Sequence, residues 1–249
     1  MKTVLITGCS SGFGLETARY FLERNWQVVA TMRVPREDVL PPSDRLRVLA
    51  LDVTDAESIL RALEAAGPID VLVNNAGVGA AAPFEFTPVA TMHALFDTNT
   101  LGTMALTQAV LPQFRQRAEG VIVNVTSSTT YKPLPLVAAY RASKAAVNAF
   151  TESLAAEVGQ FGVRMHVVLP GRSPETRFGD NARPHMHGLQ EAAYAGLVQH
   201  VMAGLGDTSV PHTHARDVAE AVWRAATDPA SPMHIPAGAD AEAWAAEAR

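Results

Sequence analysis

Short unbroken apolar runs, each bounded by turn-forming residues, recur along the 249-residue chain with longer amphipathic stretches between them. The runs at 2–7, 27–32, 46–51, 71–73, 121–126 and 164–169 show no polar alternation. A strand with one wet face alternates apolar and polar positions, whereas a parallel strand covered on both faces reads as a continuous apolar run. The stretches 13–24, 55–65, 93–117 and 138–161 carry helical periodicity. Strand and helix in alternation predict an α/β chain, a doubly wound parallel sheet with right-handed crossovers and helices on both faces. Residues 233–236 predict a short last strand. From Arg172 to His214 the pattern fades. That segment holds Pro174, Pro184, Pro211, several glycines and five of the eight histidines. A long insertion between the last strands of such a sheet serves as a binding lid more often than as filler, so one domain over 1–249 with a flexible lid at about 172–214 is expected.

Composition narrows the classes. The chain is 48% hydrophobic and 18% charged, enough apolar material for a sheet buried on both sides. Net charge is −5 with acids and bases interspersed, and no basic stripe predicts nucleic acid or a membrane surface as partner. No stretch approaches the ~20 apolar residues that cross a bilayer. The opening run is cut short at Gly8, which argues against a signal peptide. Cys9 is the one cysteine, so no internal disulfide forms and a reducing, cytoplasmic location is expected.

Two motifs carry chemistry. Gly8, Ser10, Ser11, Gly12, Phe13 and Gly14 follow the first strand and open the first helix. Glycines permit a tight turn and close backbone approach, and a helix N-terminus offers N–H groups to a pyrophosphate. Tyr140 and Lys144 stand four residues apart, on one helix face. A phenol has an ordinary pKa near 10, and a nearby cation is expected to lower it toward the range of efficient acid-base work.

With Asp52-Val53, Asn74-Asn75-Ala76-Gly77, Asn99, Ser127 and Pro170-Gly171 in the same order, the chain resembles the short-chain dehydrogenase/reductase family. The resemblance spans nearly the whole chain and is nearest to the branch of hydroxysteroid and retinol dehydrogenases. It implies a Rossmann-type sheet of about seven strands in the order 3-2-1-4-5-6-7. It also implies an oxidoreductase interconverting a ketone or aldehyde and its alcohol. By that resemblance Tyr140 moves the proton and Ser127 binds the substrate oxygen. Lys144 grips the nicotinamide ribose and lowers the Tyr140 pKa, and Asn99 holds a water leading from Lys144 to solvent. Asp52 and Val53 contact adenine, and Asn74 to Gly77 lie along the ribose and brace the sheet. Pro170, Gly171 and Thr176 reach the nicotinamide end. The segment from Gly171 to Thr176 is one residue longer than the family pattern, with Ser173 in a normally apolar position. A homodimer or homotetramer packed through 94–117 and 142–161 is implied as well.

The second strand ends Met32-Arg33, where NAD-using relatives carry an acid for the ribose hydroxyl. An arginine there binds a 2′-phosphate instead, so NADP(H) is the expected cofactor. Phe84, Leu134, Val137, Met186 and Leu189 are candidate pocket walls for a bulky apolar substrate, and Tyr131 another. Ser128 competes with Ser127 for the hydroxyl role, and the thirteen-residue spacing to Tyr140 favours Ser127. His185 with His187, and His212 with His214, lack the spacing of a metal site, so no metal is expected, although His187 lies where it could touch substrate. The competing reading is a non-catalytic NADP(H)-sensing protein on the same fold, which would have no need of Asn99, Ser127, Tyr140 and Lys144 together.

Overall fold

The structure, a computed structural model, describes residues 1–206 and 210–248. Seven strands form one parallel sheet: β1 (Thr3–Ile6), β2 (Gln27–Met32), β3 (Leu46–Ala50), β4 (Val71–Asn74), β5 (Gly120–Val125), β6 (Val163–Pro170) and β7 (His234–Ala237). Their order is β3-β2-β1-β4-β5-β6-β7, as expected, and every pairing is parallel. Successive strand side chains point to opposite faces, and in β1, β4 and β5 both faces are buried, whereas the edge strand β3 is partly exposed. Val4, Ile6, Val71, Val73, Val121 and Val123 pack on one side with Phe21 and Val222, while Leu5, Leu72 and Ile122 pack on the other with Leu106 and Phe114. The unalternating runs follow from that double cover.

The helices are α1 (Gly12–Glu23), α2 (Ala56–Ala66), α3 (Val89–Phe96), α4 (Gly102–Arg117), α5 (Ala138–Val158), α6 (Phe178–Ala182), α7 (Ala195–Gly206), α8 (Ala215–Thr227) and α9 (Ala239–Glu247). Periodicity placed α1 and α2 within a residue and the start of α5, while the expected end at 161 takes in a 3-10 turn at Gly159–Phe161. It marked no helix over α8 or α9, whose alanine-rich runs have weak boundaries. The expected helix 93–117 begins at Val89 and is broken by a π-helical turn at Asp97–Leu101.

A polar chain crosses the apolar centre. Asn74 Nδ2 donates to Asn124 Oδ1 at 2.8 Å and to Thr107 Oγ1 at 3.1 Å, and Asn124 Nδ2 donates to Thr151 Oγ1 at 2.8 Å. Asn74 and Asn124 are register partners on β4 and β5. Buried amides persist only when satisfied, and these two tie the sheet to α4 and α5. Asn74 therefore braces the sheet, the second of the two tasks expected of it.

Candidate active site

The carboxyl ends of the parallel strands border a crevice, the usual ligand side of an open α/β sheet. After β1 the chain turns through Gly8 (φ +73°) and Gly12 (φ +59°), a left-handed backbone that side chains disfavour. A Cβ on Gly14 would lie 2.5 Å from the Asn75 amide and from the Gly8 carbonyl. Asn75 Nδ2 donates to the Thr7 carbonyl at 2.8 Å, and Thr7 Oγ1 accepts from the Asn75 and Ala76 N–H groups at 2.9 and 2.8 Å. So Asn75, Ala76 and Thr7 lock the glycine loop to the end of β4. Ser11 occupies the N-cap of α1 without a side-chain cap bond, and the first turn has no acid. In α2, by contrast, Asp55 caps the Glu57 N–H. The α1 terminus thus keeps its positive end for an anion.

Arg33 follows β2, and its charge helps hold the Asp52 carboxyl below its ordinary value, after the larger contribution of the Thr54 hydroxyl and N–H. Arg36 was missed by sequence reading. Its guanidinium donates to the Ser10 carbonyl at 2.9 Å and so lies over the glycine loop. Arg33 and Arg36, both exposed, lie one and four residues past the end of β2, and only the first adjoins the strand end that periodicity marks.

The π turn of the third crossover places Asn99. Its Oδ1 accepts from the Val78 N–H at 2.8 Å, and its Nδ2 donates to the Val78 carbonyl and to Ser143 Oγ, both at 3.0 Å. Inserted residues in a helix re-aim side chains, and π turns recur at functional sites for that reason. Val53, buried after β3, packs against Gly102 at the start of α4. Lys144, on α5, donates from Nζ to the Val125 carbonyl at 3.1 Å. A Cβ on Gly77 would be 3.1 Å from Asn99 Oδ1 and 3.2 Å from Lys144 Nζ, so these two groups meet at that glycine. Ser127, two residues past β5, hydrogen-bonds the Tyr140 phenol, while accepting from Thr129 Oγ1 at 3.0 Å. Asn99, Ser127, Tyr140 and Lys144 are all buried. Ser128 is buried too, but the serine bonded to Tyr140 is Ser127.

The electrostatics correct one expectation. Burial, opposed by the Ser127 hydrogen bond, pushes the Tyr140 phenol up to about 12 rather than down. Burial likewise pushes the Lys144 ammonium down to about 8. Desolvation disfavours whichever form is charged, and at both groups it is the largest cause of the shift.

The lid expectation falls on 172–214, and its described part folds back on the site. Phe178 packs against the Tyr140 ring, centroids 5.8 Å apart, and its Cζ would be 2.7 Å from a Cβ on Gly79. Met186 bridges Ala81, the His187 N–H donates to the Ala81 carbonyl at 3.2 Å, and His187 Nε2 lies 3.2 Å from Thr91 Oγ1. Thr176 sits beside Gly12, with its Cβ 3.5 Å from where a glycine Cβ would be. That places Thr176 over the glycine loop. Ser173 Oγ is buried with no hydrogen-bond partner. Of the candidate pocket walls, Met186 is tied to Ala81 and Phe84 is exposed. His212 and His214 meet edge to face with ring centroids 4.6 Å apart, and His214 Nδ1 lies 3.2 Å from Glu175 Oε2. Among the described residues no cluster of three or more metal-ligating side chains forms, and no helix is long and apolar enough to cross a membrane.

Residues 2–186 match the family model for short chain dehydrogenases. The chain belongs to that family. Retinol dehydrogenase 8 of Bos taurus is 41% identical over 182 residues, an alignment covering 68% of this chain and 58% of that protein. A short-chain dehydrogenase from Streptomyces avermitilis superposes with a TM-score of 0.85 at 31% identity, covering 99% of this chain and 91% of that one. The closed form of a serine dehydrogenase complexed with NADP+ gives 0.82 at 28% identity, covering 96% and 95%.

Proposed function

We propose that this short-chain dehydrogenase is an NADP(H)-dependent carbonyl reductase, interconverting ketones or aldehydes and their alcohols, with bulky apolar substrates preferred. The observation that carries the reading is the buried group of Ser127, Tyr140, Lys144 and Asn99 beside an uncapped, glycine-lined helix terminus. The retinol dehydrogenase relative and the NADP+ complex support it.

A bound dinucleotide supplies the hydride. The loop from Gly8 to Gly14 would hold its pyrophosphate on the α1 terminus, with Arg33 and Arg36 able to pair with a 2′-phosphate. Asp52 and Val53 would hold the adenine, and Asn75, Ala76 and Gly77 would line the ribose path. Pro170 and Gly171, joined by the unpartnered Ser173 hydroxyl, would receive the nicotinamide end, and Thr176 would border the pyrophosphate beside Gly12. Ser127 donates to the substrate carbonyl oxygen. With its phenol pushed up to about 12, Tyr140 is protonated at neutral pH and stands ready as the acid of the reduction. The developing alkoxide takes that proton, and the Lys144 ammonium steadies the phenolate left behind. Phe178, packed on the Tyr140 ring, would help screen it from water when a substrate is bound.

Spectrophotometric NADPH consumption across a carbonyl panel tests this. The expected result is turnover with kcat/KM favouring NADPH over NADH. Arg33→Ala and Arg36→Ala should each shrink that preference by about tenfold, as loss of a charge-assisted bond does. Equal use of both cofactors by wild type and variants would contradict the NADP(H) reading.

A further inference from the structure

Helix α9 lies beyond the residues matched by the family model, yet it is built into the root of the lid. Its first turn carries Asp240, a carboxylate only 7% exposed. Asp240 Oδ2 accepts the Arg172 N–H at 2.7 Å, and Oδ1 accepts the Thr213 hydroxyl at 2.7 Å. Thr213, fully buried, accepts the Gly171 N–H on its own Oγ1 at 2.9 Å and donates its N–H to the Arg172 carbonyl at 2.8 Å. Gly171 and Arg172 are where the chain leaves the sheet for the lid, and Thr213 is where it returns. One buried carboxylate and one buried hydroxyl therefore fasten both roots of the lid together. The packing is tight. A Cβ on Gly171 would overlap the Asp240 carboxylate, and one on Gly238 would overlap Thr213 Oγ1. At its far end α9 reaches the loop between Ser127 and Tyr140, where Glu247 pairs with Lys132 at 2.8 Å. That pair is exposed and adds little, so the buried end carries the weight.

A carboxylate is not placed in a protein interior for packing alone, because its desolvation must be offset by donors. Here the donors are the Arg172 N–H, in the segment that would face the nicotinamide end of a bound dinucleotide, and the Thr213 hydroxyl at the other root of the lid. We propose that Asp240, acting through Thr213, is a positioning residue that sets the 171–173 segment against the nicotinamide end. The inference rests on the NADP(H) reading above. It assigns α9 a part in cofactor recognition.

The test compares two ligands on the full-length protein. NADPH spans the whole site, while 2′-phospho-ADP-ribose lacks the nicotinamide. Asp240→Asn and Thr213→Val should weaken NADPH binding about tenfold, the scale of one lost buried hydrogen bond to a charged group. Binding of 2′-phospho-ADP-ribose should stay within about twofold of wild type, and Thr213→Ser should retain NADPH affinity. Equal losses for both ligands would mean a general structural role, and no loss for either would mean no role; each overturns the proposal. Should Asp240→Asn fail to fold, the Val and Ser pair at Thr213 decides alone. If wild type binds NADPH but reduces no carbonyl, the reductase reading fails while this ratio still stands or falls by itself. If wild type binds no NADPH, the cofactor reading and this inference fall together.

Discussion

Lys144 is the most costly side chain of the site. Its folded pKa of about 8 lies below the ordinary 10.5, because burial penalises the ammonium. The unfolded chain therefore binds more protons between those values, and stability rises with pH across that window and is lost as pH falls toward 8. At pH 7 the buried charge costs about 3 kcal/mol by the same linkage. Replacing Lys144 by Met should raise stability by up to that amount in urea unfolding at pH 7 and flatten its pH dependence above 8, while abolishing turnover. A destabilised Lys144→Met would contradict the burial account. Tyr140, Lys144 and Ser127 were legible in sequence because their relation is local or set by the length of one loop. The direction of their pKa shifts was not, since burial is decided by elements far away in the chain. Arg36 and Asp240 escaped for a related reason. Their partners, Ser10 and Thr213, lie 26 and 27 residues away.

Among the elements, strand runs and the first helices followed from periodicity, which parallel packing writes directly into composition. The π turn at Asp97–Leu101 did not, because one extra residue in a helical turn leaves the apolar pattern almost unchanged. It nonetheless decides where Asn99 points. The 172–214 segment stood out as a loss of pattern, but where its described part packs did not. Gly188 (φ +64°) marks a tight point, since a Cβ there would lie 2.5 Å from Phe86 Cβ. Gly188→Ala adds both left-handed strain, roughly 1 kcal/mol or more, and a clash with an atom fixed to backbone. It should free residues 178–194 for limited proteolysis and raise the KM for large carbonyls several-fold, with NADPH affinity little changed. Unaltered proteolysis and kinetics would show that the lid docks elsewhere.

At the scale of the whole molecule, strand order brings residues from 8 to 240 to one end of the sheet. β1 and β4 lie side by side, so the glycine loop meets Asn75 and Gly77. β4 and β5 lie side by side, so Lys144 and Asn99 meet Gly77 one strand from Ser127. The last pairing, β6 with β7, lets α9 reach the lid root. The order was expected from the family resemblance; periodicity alone fixed only that the strands are parallel. The central claim is that this convergence makes Tyr140 the proton donor of a carbonyl reduction. Single-turnover reduction by Tyr140→Phe with NADPH already bound tests it most directly. The account predicts a rate at least 10²-fold below wild type, with NADPH affinity within about threefold, because the lost hydroxyl moves a proton and does not hold the cofactor's charge. A variant that reduces the carbonyl at the wild-type rate would contradict it.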